Sequence, residues 1–217
     1  AVLRVAVVWR RGVYVVAKDA VDSNAPPCTD APQPVGRFVI PEEAARLSRE
    51  QNWVVVEGSG RGHRRVVPAP LPLRILELPA VEALLAANVI PITVGGGGIP
   101  VVRDALGHYI GVSAVIDKDL SSAMLASQLG AQSLVMLTGV ERVALDFGKP
   151  SQRPVDRMTV AEARQYHADG QLPPGSMGPK IDAALRYLDG GGKEVVITSI
   201  ERLYGALQGN AGTRIVP

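Results

Sequence analysis

The chain has 217 residues, 47% of them apolar, enough for a globular fold with a real core. Lys and Arg number 23 against 21 Asp and Glu; the resulting +2 gives no ground for a nucleic-acid or membrane partner and leaves only a weak bias toward an anionic ligand. The single cysteine, Cys28, excludes an internal disulfide and fits a reducing cytoplasm, and the apolar runs at 5–9 and 13–17 are too short for a bilayer span or the centre of a signal peptide.

Residues 1–16 alternate well enough for a strand-like start. From 19 to 36, Pro26, Pro27, Pro32 and Pro34 with Asp, Ser and Asn between them predict loop. Pro41 followed by Glu42 and Glu43 opens a helix to about Asn52, with proline at the first helical position and acids in the first turn. A strand follows at 53–56. Residues 17–70 read as an appendage of loops, short strands and one helix, and 71–217 as a regular core. In that core Val81, Leu84 and Leu85 mark a helix over 79–88, and 89–94 is a short apolar strand. A helix runs from Ser121 to about Gly130, and a strand over 133–137. Thr159 and Glu162 form a capping box that opens a helix to about Ala168. Ile181, Ala184, Leu185 and Leu188 lie on one helix face, which Gly190, Gly191 and Gly192 terminate. A strand at 194–198 and a helix over 199–207 complete the alternation. Strands alternating with helices of this length predict an α/β fold with a mainly parallel sheet covered on both faces. Ligands in such sheets lie beyond the carboxyl ends of strands.

Three segments after such strands could carry chemistry. Gly95, Gly96, Gly97 and Gly98 offer successive backbone N–H groups with no side chains in the way, which suits a phosphoryl group; the plainer alternative is a flexible turn. In Asp117-Lys118-Asp119 the lysine can neutralise a transferring phosphoryl oxygen and a flanking carboxylate can hold it, whereas in isolation the triplet reads as a solvated loop. Gly175 to Lys180, with Ser176, Met177 and Gly178 between, makes a phosphate cradle at a helix start or an ordinary linker. His63, His108 and His167 have no metal-ligand spacing with one another or with Cys28, so no metal site is expected. Ser59 lacks the spacing of a nucleophile elbow, and the basic run at 61–65 lacks the aromatics of a nucleic-acid surface.

Taken in order, RVVPAP, VGGGGIPVVR, GVSAVIDKDL, FGKPSQRPVDRMTVAEA, GSMGPKIDAALRYL, EVVITSIE and GTRIVP resemble the carbamate kinases of the amino-acid kinase family, from about residue 34 to Pro217. The resemblance implies a three-layer αβα sandwich with a small protruding lid, a cytoplasmic homodimer, and a place in arginine metabolism. It implies interconversion of ATP and carbamate with ADP and carbamoyl phosphate, using Mg²⁺. By the same resemblance Gly95–Gly98 approach the carbamate and the phosphoryl group in flight, Lys118 stabilises its charge, Asp119 orients the lysines, and Lys180 holds the terminal phosphate. Thr138, Phe147, Ser176, Met177 and Gly178 fall around the nucleotide. Two departures accompany it. The family's opening strand and Gly-Gly-Asn turn have no match in residues 1–20, so the chain reads as lacking its N-terminal part, whether as a fragment or as a shortened protein. Gln33 also stands where the lid pattern has a lysine, which removes a charge-assisted contact. These departures keep open a non-catalytic nucleotide-binding or dimerisation remnant; a kinase for another carboxylate-type substrate is a third alternative, and the lid segment speaks against it.

Overall fold

The computed structural model describes residues 11–22, 33–58, 60, 62–172 and 177–217. Cys28, Ser59, Arg61, Gly175 and Ser176 lie outside these residues. Two compact units divide the chain, residues 1–116 and 117–217.

The first unit runs β1 (Gly12–Tyr14), β2 (Lys18–Ala20), β3 (Gln33–Val39), α1 (Pro41–Gln51), β4 (Val54–Glu57), β5 (His63–Val67), β6 (Arg74–Ile75), α2 (Leu78–Ala86), β7 (Ile90–Ile92), β8 (Ile99–Arg103) and β9 (Tyr109–Gly111). One sheet has the order β6-β2-β8-β9, with β2 and β8 parallel at its centre and antiparallel neighbours at both edges. β1 pairs in parallel with β7. The antiparallel sheet β3-β5-β4 packs against α1 through Val39, Ala44 and Leu47, with Trp53 and Val55 against them. The predicted helix stands: Pro41 lies in its first turn with Glu42 and Glu43, and Asn52 ends it in the left-handed region at φ 53°.

The loop expected over 19–36 is corrected at both ends, because Lys18–Ala20 and Gln33–Val39 are strands. Pro34 hid the second. A proline cannot donate to a ladder, but β3 is an edge strand, where that loss is tolerated.

The second unit runs α3 (Lys118–Gln128), β10 (Ser133–Thr138), β11 (Val143–Leu145), β12 (Arg153–Val155), β13 (Arg157–Thr159), α4 (Val160–Ala168), α5 (Met177–Asp189), β14 (Glu194–Ser199), a 3-10 turn (Ile200–Arg202), α6 (Leu203–Leu207) and β15 (Thr213–Val216). Its sheet has the order β10-β14-β15-β13, with β10 parallel to β14, β13 parallel to β15, and the middle pair antiparallel. β14 is apolar on both faces, as a central strand must be. Val195 and Ile197 join Ile215 in a core with Ile181, Ala184 and Leu188 of α5 and Ala163 of α4. Val196 faces the other way, onto Ala206 of α6 and Ala211. Helices therefore cover both faces, and the unit is a three-layer α/β sandwich.

Two local devices fix its strands. The Thr159 N–H donates to Glu162 Oε2 at 2.8 Å while the Glu162 N–H donates to the Thr159 hydroxyl at 3.2 Å, the predicted capping box. Fully buried Thr213 accepts from the Val143 N–H at 2.8 Å and donates to the Val155 carbonyl at 2.5 Å, tying the β11–β12 hairpin to β15. The helix expected over 199–207 is instead the 3-10 turn followed by α6.

Candidate functional site

In the first unit, the four glycines follow β7 and divide into two kinds. Gly97 has φ +82°, and a Cβ there would stand 2.2 Å from the Ile116 carbonyl oxygen. At Gly98 a Cβ would stand 2.1 Å from Asp19 Oδ1, because the Gly98 N–H donates to Asp19 Oδ2 at 3.2 Å and Asp19 is fully buried. The fold itself demands glycine at these two positions. Gly95 and Gly96 are exposed, with nothing within 4 Å of an added Cβ. Packing does not require glycine there, and the backbone at both positions is open to close approach. Val94, just before the turn, is held at φ 49°, a strained position for a β-branched residue.

In the second unit, Asp117 begins the site. Its Oδ1 accepts from the backbone N–H groups of Asp119 at 2.7 Å and Leu120 at 3.4 Å, which makes it the N-cap of α3. The helix expected to start at Ser121 thus starts at Lys118, since the acidic triplet that looks like loop is a cap followed by the first turn. Lys118 is exposed and has no ion-pair partner among the described residues. Asp119 points the other way: its two oxygens accept from Lys180 Nζ at 2.8 and 3.1 Å, with only 13% and 11% of the two side chains exposed. The sequence positions are 61 apart, and the fold brings them together at the first turns of α3 and α5. Gly178, also in the first turn of α5, is buried.

A pocket of about 480 Å³ lies in the same unit. Thr138 at the end of β10, Phe147 and Met177 line it, three of the positions expected around a nucleotide. Val140, Ala144 and Pro154 add apolar wall, and Glu141, Arg142 and Gln152 add polar groups. The turn that carries Phe147 is strained at Asp146, φ 51°, and pinned by the Asp146 N–H donating to Gln171 Oε1 at 3.1 Å. The Lys149 ammonium, 3.1 Å away, holds the Asp146 carboxyl below its ordinary range. Met177 opens α5 and Lys180 stands three residues on, about one helical turn from the pocket wall.

Asp19, Gln152, Glu141 and Arg142 escape a reading of the sequence. Asp19 acts on a glycine 79 positions away, and nothing local marks it. Gln152 lies within the FGKPSQ segment, where an amide next to a Gly-Lys-Pro turn was a usable signal. Among the described residues no three His, Cys, Asp or Glu side chains group as a metal site, and no helix is long and apolar enough to cross a membrane.

Known proteins bear on this geometry. The sequence profile of the Amino acid kinase family matches residues 40–199. The carbamate kinase-like protein YahI of Escherichia coli is 47% identical over 95% of this chain and 66% of its own length. The carbamate kinase of Thermoplasma volcanium is 43% identical over 94% of this chain and 66% of its own. The structure of carbamate kinase from Giardia lamblia bound to AMP-PNP superposes with a TM-score of 0.83 at 38% identity, again over 95% of this chain and 66% of that one. The chain spans 66% of the length of each of these three relatives.

Proposed function

Because the chain belongs to the amino acid kinase family, we propose that it is a phosphotransferase of the carbamate kinase type, moving a phosphoryl group between ATP and carbamate. The observation that carries this reading is the sequence of parts along the second unit: an apolar pocket walled by Phe147 and Met177, then Lys180 one turn on, paired with Asp119 beside Lys118. A base lies in the pocket, and the phosphates run toward the start of α5, where Lys180 holds the terminal one. Asp119 uses both oxygens to fix the Lys180 ammonium, so the cation is positioned before the substrate arrives. Lys118, exposed and unpaired among the described residues, neutralises charge on the phosphoryl oxygens in transit.

A carbamate oxygen attacks the terminal phosphorus in line, the bond to the bridging oxygen breaks, and ADP leaves with the electron pair. In the first unit, the exposed backbone at Gly95 and Gly96, free of side chains, is the part that the family resemblance assigns to the substrate. Mg²⁺ would need few protein ligands here, since the nucleotide phosphates and its own waters would supply most of its oxygens. The reading includes a homodimer in the cytoplasm and a role in arginine breakdown, which the resemblance implies.

A second reading, nucleotide binding without transfer, draws on Gln33, a neutral residue at the start of β3 where the family pattern carries a lysine. A third is transfer to another carboxylate, such as an acylated acidic amino acid. Acceptor choice separates the three. ADP release from ATP with ammonium bicarbonate as acceptor supports the first. Release only with acylated amino acids supports the third. A folded chain that binds ADP and releases none from ATP supports the second.

A further inference from the structure

We infer that Gln152 reads the nucleobase, donating from its amide nitrogen to a ring nitrogen of a purine in the 480 Å³ pocket that it lines. The inference rests on the nucleotide-binding reading above and adds a specificity residue to it. Gln152 Oε1 accepts from the Gly148 backbone N–H at 2.8 Å. A backbone N–H can be met only by the oxygen, so the orientation of the amide is settled and its remaining pole is the two-proton donor Nε2. Two of the other polar side chains that line the pocket have charged partners of their own: Glu141 Oε2 accepts from Arg202 at 2.9 Å, and Arg142 Nε lies 2.7 Å from Asp156 Oδ1.

Gln152 is also held where it stands, since its own N–H donates to the Lys149 carbonyl at 3.0 Å, inside the turn pinned by Gln171. For closing that turn a glutamate would serve as well, because it too accepts from Gly148. What the amide adds is a donor in a pocket that Phe147 and Met177 also line. A flat heterocycle there offers in-plane lone pairs at its ring nitrogens, which are the acceptors such a donor recognises.

The test compares Gln152→Glu with the wild type by calorimetry, using ADP and its 1-, 3- and 7-deaza analogues. The variant keeps the acceptor for Gly148 and exchanges the donor protons for lone pairs, and an unchanged Tm verifies that the turn survives. The expected result is ADP affinity lowered about tenfold or more in the variant. One deaza analogue is weakened about as much on the wild type, and on the variant that analogue binds as ADP does. The comparison separates loss of the donor from the added charge, which would weaken every analogue alike. Wild-type ADP affinity in Gln152→Glu, or deaza analogues that all match ADP on the wild type, overturns the inference. A wild-type chain that does not bind ADP at millimolar concentration overturns the nucleotide-binding reading itself, and this inference with it.

Discussion

Removing Lys180 and Asp119 singly and together tests whether their pair is built to hold a charge in place. The two side chains are 11% and 13% exposed and joined by bonds of 2.8 and 3.1 Å, so each charge has little water to fall back on. Lys180→Met strands a carboxylate and Asp119→Leu strands an ammonium. Breaking one side of a wholly buried pair costs about 3–5 kcal/mol, and the residual exposure argues for the low end, about 3 kcal/mol. For a chain of this size that is a fall in Tm of roughly 6–12 °C. The double variant removes both charges and leaves apolar groups of similar bulk. It should recover to within about 1 kcal/mol of the wild type. Urea and thermal unfolding followed by circular dichroism give the stabilities, and ATP titration gives function. Both variants that lack Lys180 should lose affinity for ATP, including the stable double one, because the cation for the terminal phosphate is gone. The reasoning fails if each single substitution costs under about 1 kcal/mol and the two add in the double variant, since the pair would then be an ordinary solvated contact.

The glycine turn makes a paired prediction. Gly98→Ala drives a Cβ to 2.1 Å from Asp19 and should give poorly folded protein, whereas Gly96→Ala meets open space and should keep Tm while losing turnover. Comparable folding and activity in both would contradict the division drawn between them. Thr213→Val deprives the buried Val143 N–H and Val155 carbonyl of their partner, and unfolding should show a loss of about 1–3 kcal/mol. The opposite is expected of Thr198→Val, because the fully buried Thr198 hydroxyl has no hydrogen-bond partner among the described residues; stability should stay level or rise. Glu162 provides a pH test. The Thr159 backbone N–H, and then its hydroxyl, hold the Glu162 carboxyl below its ordinary value of 4.5. Its contribution is present above the unfolded pKa and is lost as pH falls through the lowered one. The Tm difference between wild type and Glu162→Gln should therefore be steady near neutrality and close as the solution is acidified below pH 4.5. A difference that grew on acidification would reverse the assigned sign.

What could be read from the sequence was what depends on near neighbours. The capping box at Thr159 and Glu162 needs only residues three apart, and proline with two glutamates announces α1 through its own first turn. Phe147 and Met177 lie in segments that resemble a known family, and the structure gathers them with Thr138 around one pocket. Long-range contacts were illegible. Asp19 supports Gly98 across 79 positions, and nothing in a Lys-Asp-Ala strand foretells it. Pro34 disguised β3 because its tolerance there comes from being at a sheet edge, a property of the assembled sheet. Asp117 was seen as a charge in a loop, although its shape as a helix cap moves the start of α3 back to Lys118 and sets the direction of both neighbouring side chains.

The central claim is that this chain carries a working phosphoryl-transfer site centred on Lys118 and Lys180. Its most direct test is ATP formation from ADP and carbamoyl phosphate by the purified chain, with Lys118→Ala beside it. The account predicts ATP from the wild type and a loss of at least a hundredfold in the variant at unchanged ADP affinity, the scale expected when a charge on the transferring group is lost. Equal rates from the two proteins, or no ATP from a folded wild type that binds ADP, would contradict it.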